Sequence, residues 1–502
     1  MGEIIAFVLY FVAMLSVGVW FFVKTKNNGE KEYFLGGRSM GPWVTAMSAQ
    51  ASDMSAWLLM GLPGSILAFG LGQAWIGIGL AIGTALNWIF VAKRLRKFSE
   101  ASGDAITLPQ YLSNRFATTN PVLKIICAVV FLISFTIYVA SAFSAGTTVF
   151  TTLFPSLTNE VAMIIFAVII LIYTFMGGYK AVCWTDFFQG LLMLVALLAI
   201  PIVIVFTKTL DTSALAQVYS YVDANGATVE CAFTANLWGA SWQEIASGLA
   251  WGLGYFGMPH ILVRFMAIEK PSMVKKSATV AIIWVVITLL AAILVAYFGR
   301  MLIGAELLAV GNQKLVFIEL ARDLFPGFIA GLLLAAIIAA SMSTADSQLL
   351  VASSSFTSDI YKPIIRKNSS DKEVMWVGRI VVVIVAVVAY FISSSEGHGA
   401  QAIMNMVENA WGLFGAAFGP VVILSLFWKR FTYKGAIAGI LSGAIVDIVW
   451  FIKLSALTGV YELLPAFIVG FVFSVVVSLL DKKPSAEIEK IFEIATDKNN
   501  DD

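Results

Sequence analysis

Residues 42–70 form an apolar run long enough to cross a lipid bilayer, and a carboxylate, Asp53, lies near its middle. A charge at that depth costs roughly 3 kcal/mol or more, so a chain that keeps one has a use for it. Ser48, Gln50, Ser52 and Ser55 surround Asp53 with oxygen, and Gly61-Leu62-Pro63-Gly64 follows within a few turns. Helix breakers at membrane depth free backbone carbonyls, which are tolerated only where they line a cavity or meet a ligand. The span is expected to break around Gly61–Gly64, and the combination points to ion-coupled transport. The alternative is structural: Asp53 accepts bonds from neighbouring helices.

The rest of the chain repeats the apolar theme. Hydrophobic residues make up 59% and charged residues 13%, against about 25% charged in a soluble domain. The expectation is an all-α polytopic membrane protein of about thirteen spans. They lie near residues 4–23, 42–70, 73–92, 122–149, 160–177, 181–207, 241–266, 278–302, 327–356, 375–394, 400–428, 435–453 and 462–480. The first span lacks a basic stretch before it and has Lys24 and Lys26 after it, which reads as a retained helix with its N-terminus outside. That orientation gathers the basic clusters on the cytoplasmic side: Arg38, Lys93 to Lys97, Lys270 to Lys276, Lys362 to Lys372, Lys429 to Lys434, and Lys482 with Lys483. The C-terminus is then cytoplasmic as well. Residues 208–240, with Asp211, Asp223 and Glu230, form the longest external loop, and 481–502 reads as a short solvated tail.

A second interrupted span reads Trp251-Gly252-Leu253-Gly254-Tyr255-Phe256-Gly257-Met258-Pro259-His260. It lies five spans after the first, so the two breaks face the membrane in opposite senses. An inverted repeat of five plus five helices, approximately 42–207 and 241–428 within one domain over 1–480, gives this pattern, and paired interruptions mark a transporter's central site. The G-x-G-x-x-G spacing at Gly252, Gly254 and Gly257 is not a dinucleotide site, because no strand precedes it. No phosphate-binding loop is present, and the two histidines, His260 and His398, have no catalytic neighbours. The net charge of +1 offers nothing to nucleic acid. Cys127, Cys183 and Cys231 have no metal spacing and read as buried small residues.

Other polar residues fall at membrane depth. Ser341-Met342-Ser343-Thr344-Ala345-Asp346-Ser347 is dense in oxygen, suited to a hard cation, although serines and threonines also bond back to their own helix. Asp186 is either a first-turn acid or a functional one. Trp251 and Tyr255, four apart, would share a helix face beside the break, as a substrate wall or as core; Tyr138 carries the same alternatives. Glu408 and Asp447 pair with other helices or face water.

These residues also carry a resemblance. Leu35-Gly36-Gly37-Arg38-Ser39, Ala51 to Ser55 through Gly61 to Gly64, Phe135-Thr136-Ile137-Tyr138, Trp184-Thr185-Asp186, Trp251 through Leu262, Met342-Ser343-Thr344 and Gly415 to Pro420 occur in this order. Over nearly its whole length the chain resembles the sodium/solute symporter family, and within it the bacterial branch that carries proline. The resemblance implies a non-enzymatic transporter of the cytoplasmic membrane with the fold of amino-acid/sodium symporters. It implies Na⁺ as coupling ion, Li⁺ as a substitute, L-proline as substrate and no obligate protein partner. It further implies a sodium site of the Ala51, Met54 and Ala340 carbonyls with the Ser343 and Thr344 hydroxyls, where Asp53 matches the family's sodium-site aspartate. Tyr138, Trp251, Tyr255 and Pro259 match the proline region, with Ser55 and Gly61 near both ligands. Asp186 matches an acid of the sodium pathway, and Arg38 a cytoplasmic-loop arginine tied to coupling. Ala56 departs from the proline pattern, which has glycine there; Asp346 and Asp447 replace uncharged residues. Other readings are a symporter of another amino acid or of pantothenate, a channel, or a sensor, for which the tail is too short.

Overall fold

A computed structural model describes residues 1–24, 29–222, 226–396 and 400–497. Lys26, Asp223 and His398 lie outside the described residues. Eighteen α-helices of eight residues or more are described: α1 Gly2–Lys24, α2 Pro42–Asp53, α3 Gly61–Phe69, α4 Ala74–Leu86, α5 Lys93–Ala101, α6 Leu108–Arg115, α7 Val122–Leu153, α8 Asn159–Thr207, α9 Trp242–Ala250, α10 Pro259–Ala267, α11 Val274–Leu308, α12 Val316–Leu324, α13 Gly327–Phe356, α14 Asp371–Glu396, α15 Ala400–Phe427, α16 Tyr433–Lys453, α17 Leu463–Leu480 and α18 Ala486–Thr496.

Ten helical segments among the described residues are long and apolar enough to cross a membrane unaided. The expected thirteen is not reached by length alone, because three of the segments are short or broken. Asn159 to Ile172 is only a short apolar helix, ending before Gly178 turns the backbone to φ 58° inside α8. The other two are the interrupted spans. In both, two half-helices meet inside the protein: α2 with α3, and α9 with α10. The half-helix α2 packs on α10, so the start of one broken span lies beside the end of the other, as an inverted pair requires. The helices α13 and α15 are almost wholly enclosed, whereas α1 and α17 turn most of their side chains outward. Long helices whose surface is this apolar satisfy their backbone within each segment, the condition for residence in lipid.

Close packing at the centre rests on small residues. Gly79 and Gly83 on α4 touch the backbone of α9 and of the turn after it; a Cβ on Gly83 would overlap Gly252, and one on Gly79 would lie 2.8 Å from the Leu249 Cα. Four-residue glycine spacing lets two helices meet backbone to backbone. On the opposite side Phe131 and Phe135 of α7 interlock with Phe414 and Phe418 of α15, with ring centroids 4.5–4.9 Å apart for the closest pairs.

The loop over 208–240, expected to be external, is more ordered than its polarity suggests. Strands β1 (Tyr219–Val222) and β2 (Thr228–Cys231) form an antiparallel hairpin. Thr234 then clips the C-terminal end of α3: its carbonyl accepts from Leu71 N at 2.7 Å and its N–H donates to the Phe69 carbonyl at 3.1 Å. Gly70, at φ 89°, has no room for a side chain there. The tail also differs from the solvated segment expected. Its helix α18 packs on α5 through Phe492 and Phe98, because Ile488, Ile491, Phe492 and Ala495 share one apolar face.

Gly83→Val is expected to lower the thermal midpoint in detergent, by overpacking worth about 1–3 kcal/mol. Gly41→Ser, where a Cβ meets nothing within 4 Å, should leave it in place.

Candidate ion and substrate site

The first broken span opens at Met54 and Ser55, not at Gly61 to Gly64. Helix α2 ends at Asp53, Met54 leaves helical geometry (φ −82°, ψ 79°), and Ser55 is extended. A short 3₁₀ turn, Ala56–Leu58, leads into α3, which starts at Gly61. Pro63 sits in the first turn of α3, where its missing N–H would have had no helical partner. The glycine–proline signal therefore marks where the second half-helix begins, a turn and a half after the break.

The break redirects hydrogen bonds. Ser55 N bonds the Asp53 carbonyl at 3.0 Å rather than the Ala51 carbonyl one turn back. The freed Ala51 oxygen faces α13 and accepts from Ser343 Oγ at 2.7 Å; the same hydroxyl lies 3.2 Å from the Ala340 carbonyl. Thr344 Oγ1, on the next residue, is buried without a hydrogen-bond partner among the described residues. Ala51, Ala340, Ser343 and Thr344 are all fully enclosed. This set of neutral oxygens, with one hydroxyl unsatisfied, fits a small hard cation with no change of chemistry. The Met54 carbonyl leaves the same break.

Asp53 points the other way, across to the second broken span, where Tyr255 donates its phenol to Oδ2 at 2.5 Å. Tyr138 adjoins Asp53 and Ser55. Ser55 Oγ accepts from Trp57 N at 3.3 Å, capping the 3₁₀ turn. Gly61 leaves space that Trp57 and Met404 fill, with their nearest atoms 2.8–2.9 Å from where a Cβ would stand.

The second broken span is a 3₁₀ turn, Trp251–Phe256, between α9 and α10, with Pro259 as the first residue of α10. Trp251 and Tyr255 consequently do not share a face as an α-helix would place them: at three residues per turn, four positions leave them about 120° apart. They grip Trp411 from two directions. Trp251 lies roughly parallel to it at 6.3 Å and Tyr255 stands edge-on at 5.1 Å. Trp251 also stacks on Trp57 at 5.7 Å and on Tyr461 at 5.3 Å. Trp57, Trp411 and Tyr461 are thus part of an aromatic wall whose members the sequence did not single out.

A buried ionic network lies one helix turn beyond. Arg264 of α10 donates to Asp186 at 3.0 Å, to Ser48 at 3.1 Å, to Ser347 at 2.5 Å and to the His260 carbonyl at 2.6 Å. Ser48 also donates to Asp186 at 2.7 Å, and Ser347 to Asp346 at 3.2 Å. Asp186 is therefore an interior ion-pair partner rather than a helix-end acid. Arg264 was missed in the sequence, although an arginine inside Ile261-Leu262-Val263-Arg264-Phe265-Met266 is itself an intramembrane charge in need of a carboxylate.

Arg38 stands apart from this centre. It is 7% exposed and binds Asp104 at 2.7 Å, Ser99 at 3.0 Å, the Ala105 carbonyl at 2.9 Å and the Met266 carbonyl at the end of α10. Lys31 also pairs with Asp104. Burial on its own raises the Asp104 carboxyl, but the hydrogen bonds and charges of Lys31 and Arg38 outweigh it and hold the group below its ordinary value. Glu408 and Asp447 lie together with Glu462 around Tyr461.

A sequence model of the sodium:solute symporter family matches residues 33–443. The chain is 42% identical over 493 residues to the sodium/proline symporter of Escherichia coli (strain K12), covering 97% of this chain and 95% of that one. It is 42% identical to that of Haemophilus influenzae (98% and 97% covered) and to that of Staphylococcus aureus strain NCTC 8325 (96% and 93%). Among solved structures, a Na⁺-coupled sialic acid symporter in a substrate-bound outward-open state superposes with a TM-score of 0.74 at 22% identity, over 97% of this chain and 99% of that one. The nucleobase-cation-symport transporter Mhp1 superposes at 0.56 and 13% identity, over 94% and 99%. Both share the fold.

Because the Asp104 carboxyl is lowered on folding, its stabilisation is complete above the ordinary value of about 3.9 and disappears as pH falls through the lowered one. Thermal midpoints of the unaltered chain and of Asp104→Asn should differ at pH 6 and converge as pH falls through the lowered value of the Asp104 carboxyl.

Proposed function

This chain belongs to the sodium:solute symporter family, and we propose that it couples the entry of Na⁺ to uptake of L-proline across a bacterial cytoplasmic membrane. The observation that carries the reading is the Ala51 carbonyl, released by the Met54–Ser55 break and met by Ser343 beside the unpartnered Thr344 hydroxyl. Na⁺ takes these oxygens with Ala340 and Met54; Li⁺, equally hard, substitutes for it. Asp53 supplies a negative charge to the same half-helix end while it holds Tyr255. Ion binding at α2 is thereby linked to the aromatic wall on the other broken span. Trp251 and Trp57 offer stacked faces to the pyrrolidine ring, Tyr138, Ser55 and Pro259 border it, and Gly61 leaves room for Trp57. The amino-terminal ends of α3 and α10 inside the protein favour the substrate's carboxylate.

Alternating access follows from this arrangement. The chain is inserted with the N-terminus outside and the C-terminus in the cytoplasm, as the basic clusters require. Na⁺ from outside steadies the break in α2–α3, proline completes the pocket, and both leave inward past Asp186 and the Arg38 loop. For one Na⁺ per proline, one charge crossing ~100 mV gives ~2.3 kcal/mol and a tenfold Na⁺ gradient ~1.4 kcal/mol. Their sum supports a proline gradient of roughly several hundredfold. Uptake into proteoliposomes tests the reading: proline should accumulate with a Na⁺ or Li⁺ gradient. Full-rate uptake on a proton gradient alone, or competition by pantothenate or acyclic amino acids as strong as by proline analogues, would defeat it.

Ser343→Ala and Thr344→Ala should each raise the Na⁺ concentration for half-maximal uptake about tenfold, the loss of roughly 1.4 kcal/mol of ligand energy, with proline affinity kept at saturating Na⁺. A shift in proline affinity at every Na⁺ level would move these residues to the substrate pocket.

Trp251→Ala is expected to weaken proline binding at saturating Na⁺ by tenfold or more, on the order of one lost aromatic contact. Tyr255→Phe keeps the ring and removes the bond to Asp53, so it should raise the Na⁺ requirement more than it changes proline binding. The two variants are read by equilibrium binding of labelled proline at several Na⁺ concentrations.

A further inference from the structure

The helix α18 does more than end the chain. It is N-capped by Ser485 and reached by a linker that is itself fastened: Lys434 pairs with Asp481 at 3.0 Å, and Arg430 donates to the carbonyls of Asp481 and Lys482 at 2.7 and 3.2 Å. The helix then crosses two elements distant in sequence. Glu489 and Glu493 hold Lys429, in the turn between α15 and α16, at 3.1 and 3.0 Å. Phe492 meets Phe98 of α5 edge-on at 5.3 Å, and Lys97 of α5 donates to the Asp497 carbonyl.

Beneath Phe492 lies Arg115 of α6, fully buried. Its Nε donates to the Ser425 carbonyl at 3.1 Å, but neither terminal nitrogen has a hydrogen-bond partner among the described residues. Its guanidinium is enclosed by the rings of Phe98, Phe116 and Phe492, 5.7, 5.9 and 5.3 Å away. A buried cation faced by rings alone gains from the ring quadrupoles yet forgoes hydration. Lifting α18 would remove one ring and give the cation water, so the docked and undocked states lie closer in energy than the apolar contact alone implies.

What α18 covers is the junction of the inner helix ends. Arg94 of α5 binds the Leu426 carbonyl of α15, and Arg96 binds the Ile268 and Glu269 carbonyls just after α10. Arg38 adds Ser99 and the Met266 carbonyl. Segments from both halves of the repeat are thus tied at α5, and these ties must loosen for a substrate to leave inward.

We propose that α18 is a strap over the cytoplasmic ends of α5 and α15 that holds the inner side closed and lifts when that side opens. The proposal rests on the symport reading above, with its orientation. The Lys429 pairs and the Lys97 contact are solvent-facing and screened by salt, whereas the Phe492 contact is not. The strap is therefore held by one aromatic anchor and loosened by ionic strength.

Inverted membrane vesicles carrying the full chain expose α18 to trypsin, and Lys490 reports its docking. With Na⁺ alone cleavage at Lys490 should be slow, and Na⁺ with proline should accelerate it. Phe492→Ala should make cleavage fast in every condition and raise the external Na⁺ needed for half-maximal uptake about threefold or more, by a population shift toward the inward-open state. Phe492→Tyr, which keeps the ring, should restore both. Lys429→Glu should act in the same direction, and combining it with Glu489→Lys and Glu493→Lys should reverse its shift in the Na⁺ requirement, which is read by uptake because the new lysines are themselves trypsin sites. Cleavage at Lys490 that is indifferent to ligands, or Na⁺ dependence unchanged in Phe492→Ala, overturns the strap. Uptake by the unaltered chain that ignores Na⁺ overturns the symport reading instead, and is measured before any variant is made.

Discussion

A single misdirected hydrogen bond organises the centre of this protein. In an uninterrupted helix the Ser55 N–H would bond the Ala51 carbonyl; here it closes back on Asp53. In a medium without water the abandoned oxygen must find a new donor or a cation. Ser343 on a distant helix is placed to answer it, and that contact ties the first broken span to α13. The extended backbone at Ser55 also turns Trp57 toward Trp251, so one backbone choice gives the oxygen site and the aromatic wall their relative position.

Besides the stacking of Trp57 on Trp251, two side-chain hydrogen bonds join the broken spans. Tyr255 reaches Asp53 from the second span to the first, and Arg264 reaches Ser48 while it also holds Asp186 and Ser347. Arg264 makes four hydrogen bonds from the interior. It meets carboxylates from two helices, Asp186 of α8 and, through Ser347, Asp346 of α13, one turn along α13 from Ser343. Alternating access then becomes a rearrangement of a few named contacts.

Much of this was written in the sequence at the level of types and spacing. Asp53 at membrane depth, the hydroxyls around Ser343 and the glycines and prolines of two spans five apart gave the architecture, because lipid forbids unpaired backbone except at a site. The details that failed are ones where local geometry overrode a signal. Pro63 looked like the break and proved to be a helix start. Trp251 and Tyr255 were assigned a common face on an α-helical period, and the 3₁₀ turn separated them. Arg264, Trp411 and Tyr461 were invisible as a group because their relation is purely tertiary. The tail read as solvated because its charges outnumber its apolar residues, yet the few apolar ones fall on one stripe that packs against Phe98.

The clip between Thr234 and the Phe69–Leu71 segment ties the β1–β2 hairpin to α3, the half-helix that follows the break. The loop is therefore mechanically in series with the centre of the protein. A molecule that grasps the hairpin from outside, such as an antibody fragment raised against Tyr219 to Cys231, takes hold of a lever whose other end is the first broken span. Binders to this loop would sort by the conformation they favour, so a surface with no ligand chemistry of its own becomes a handle for trapping one side of the cycle.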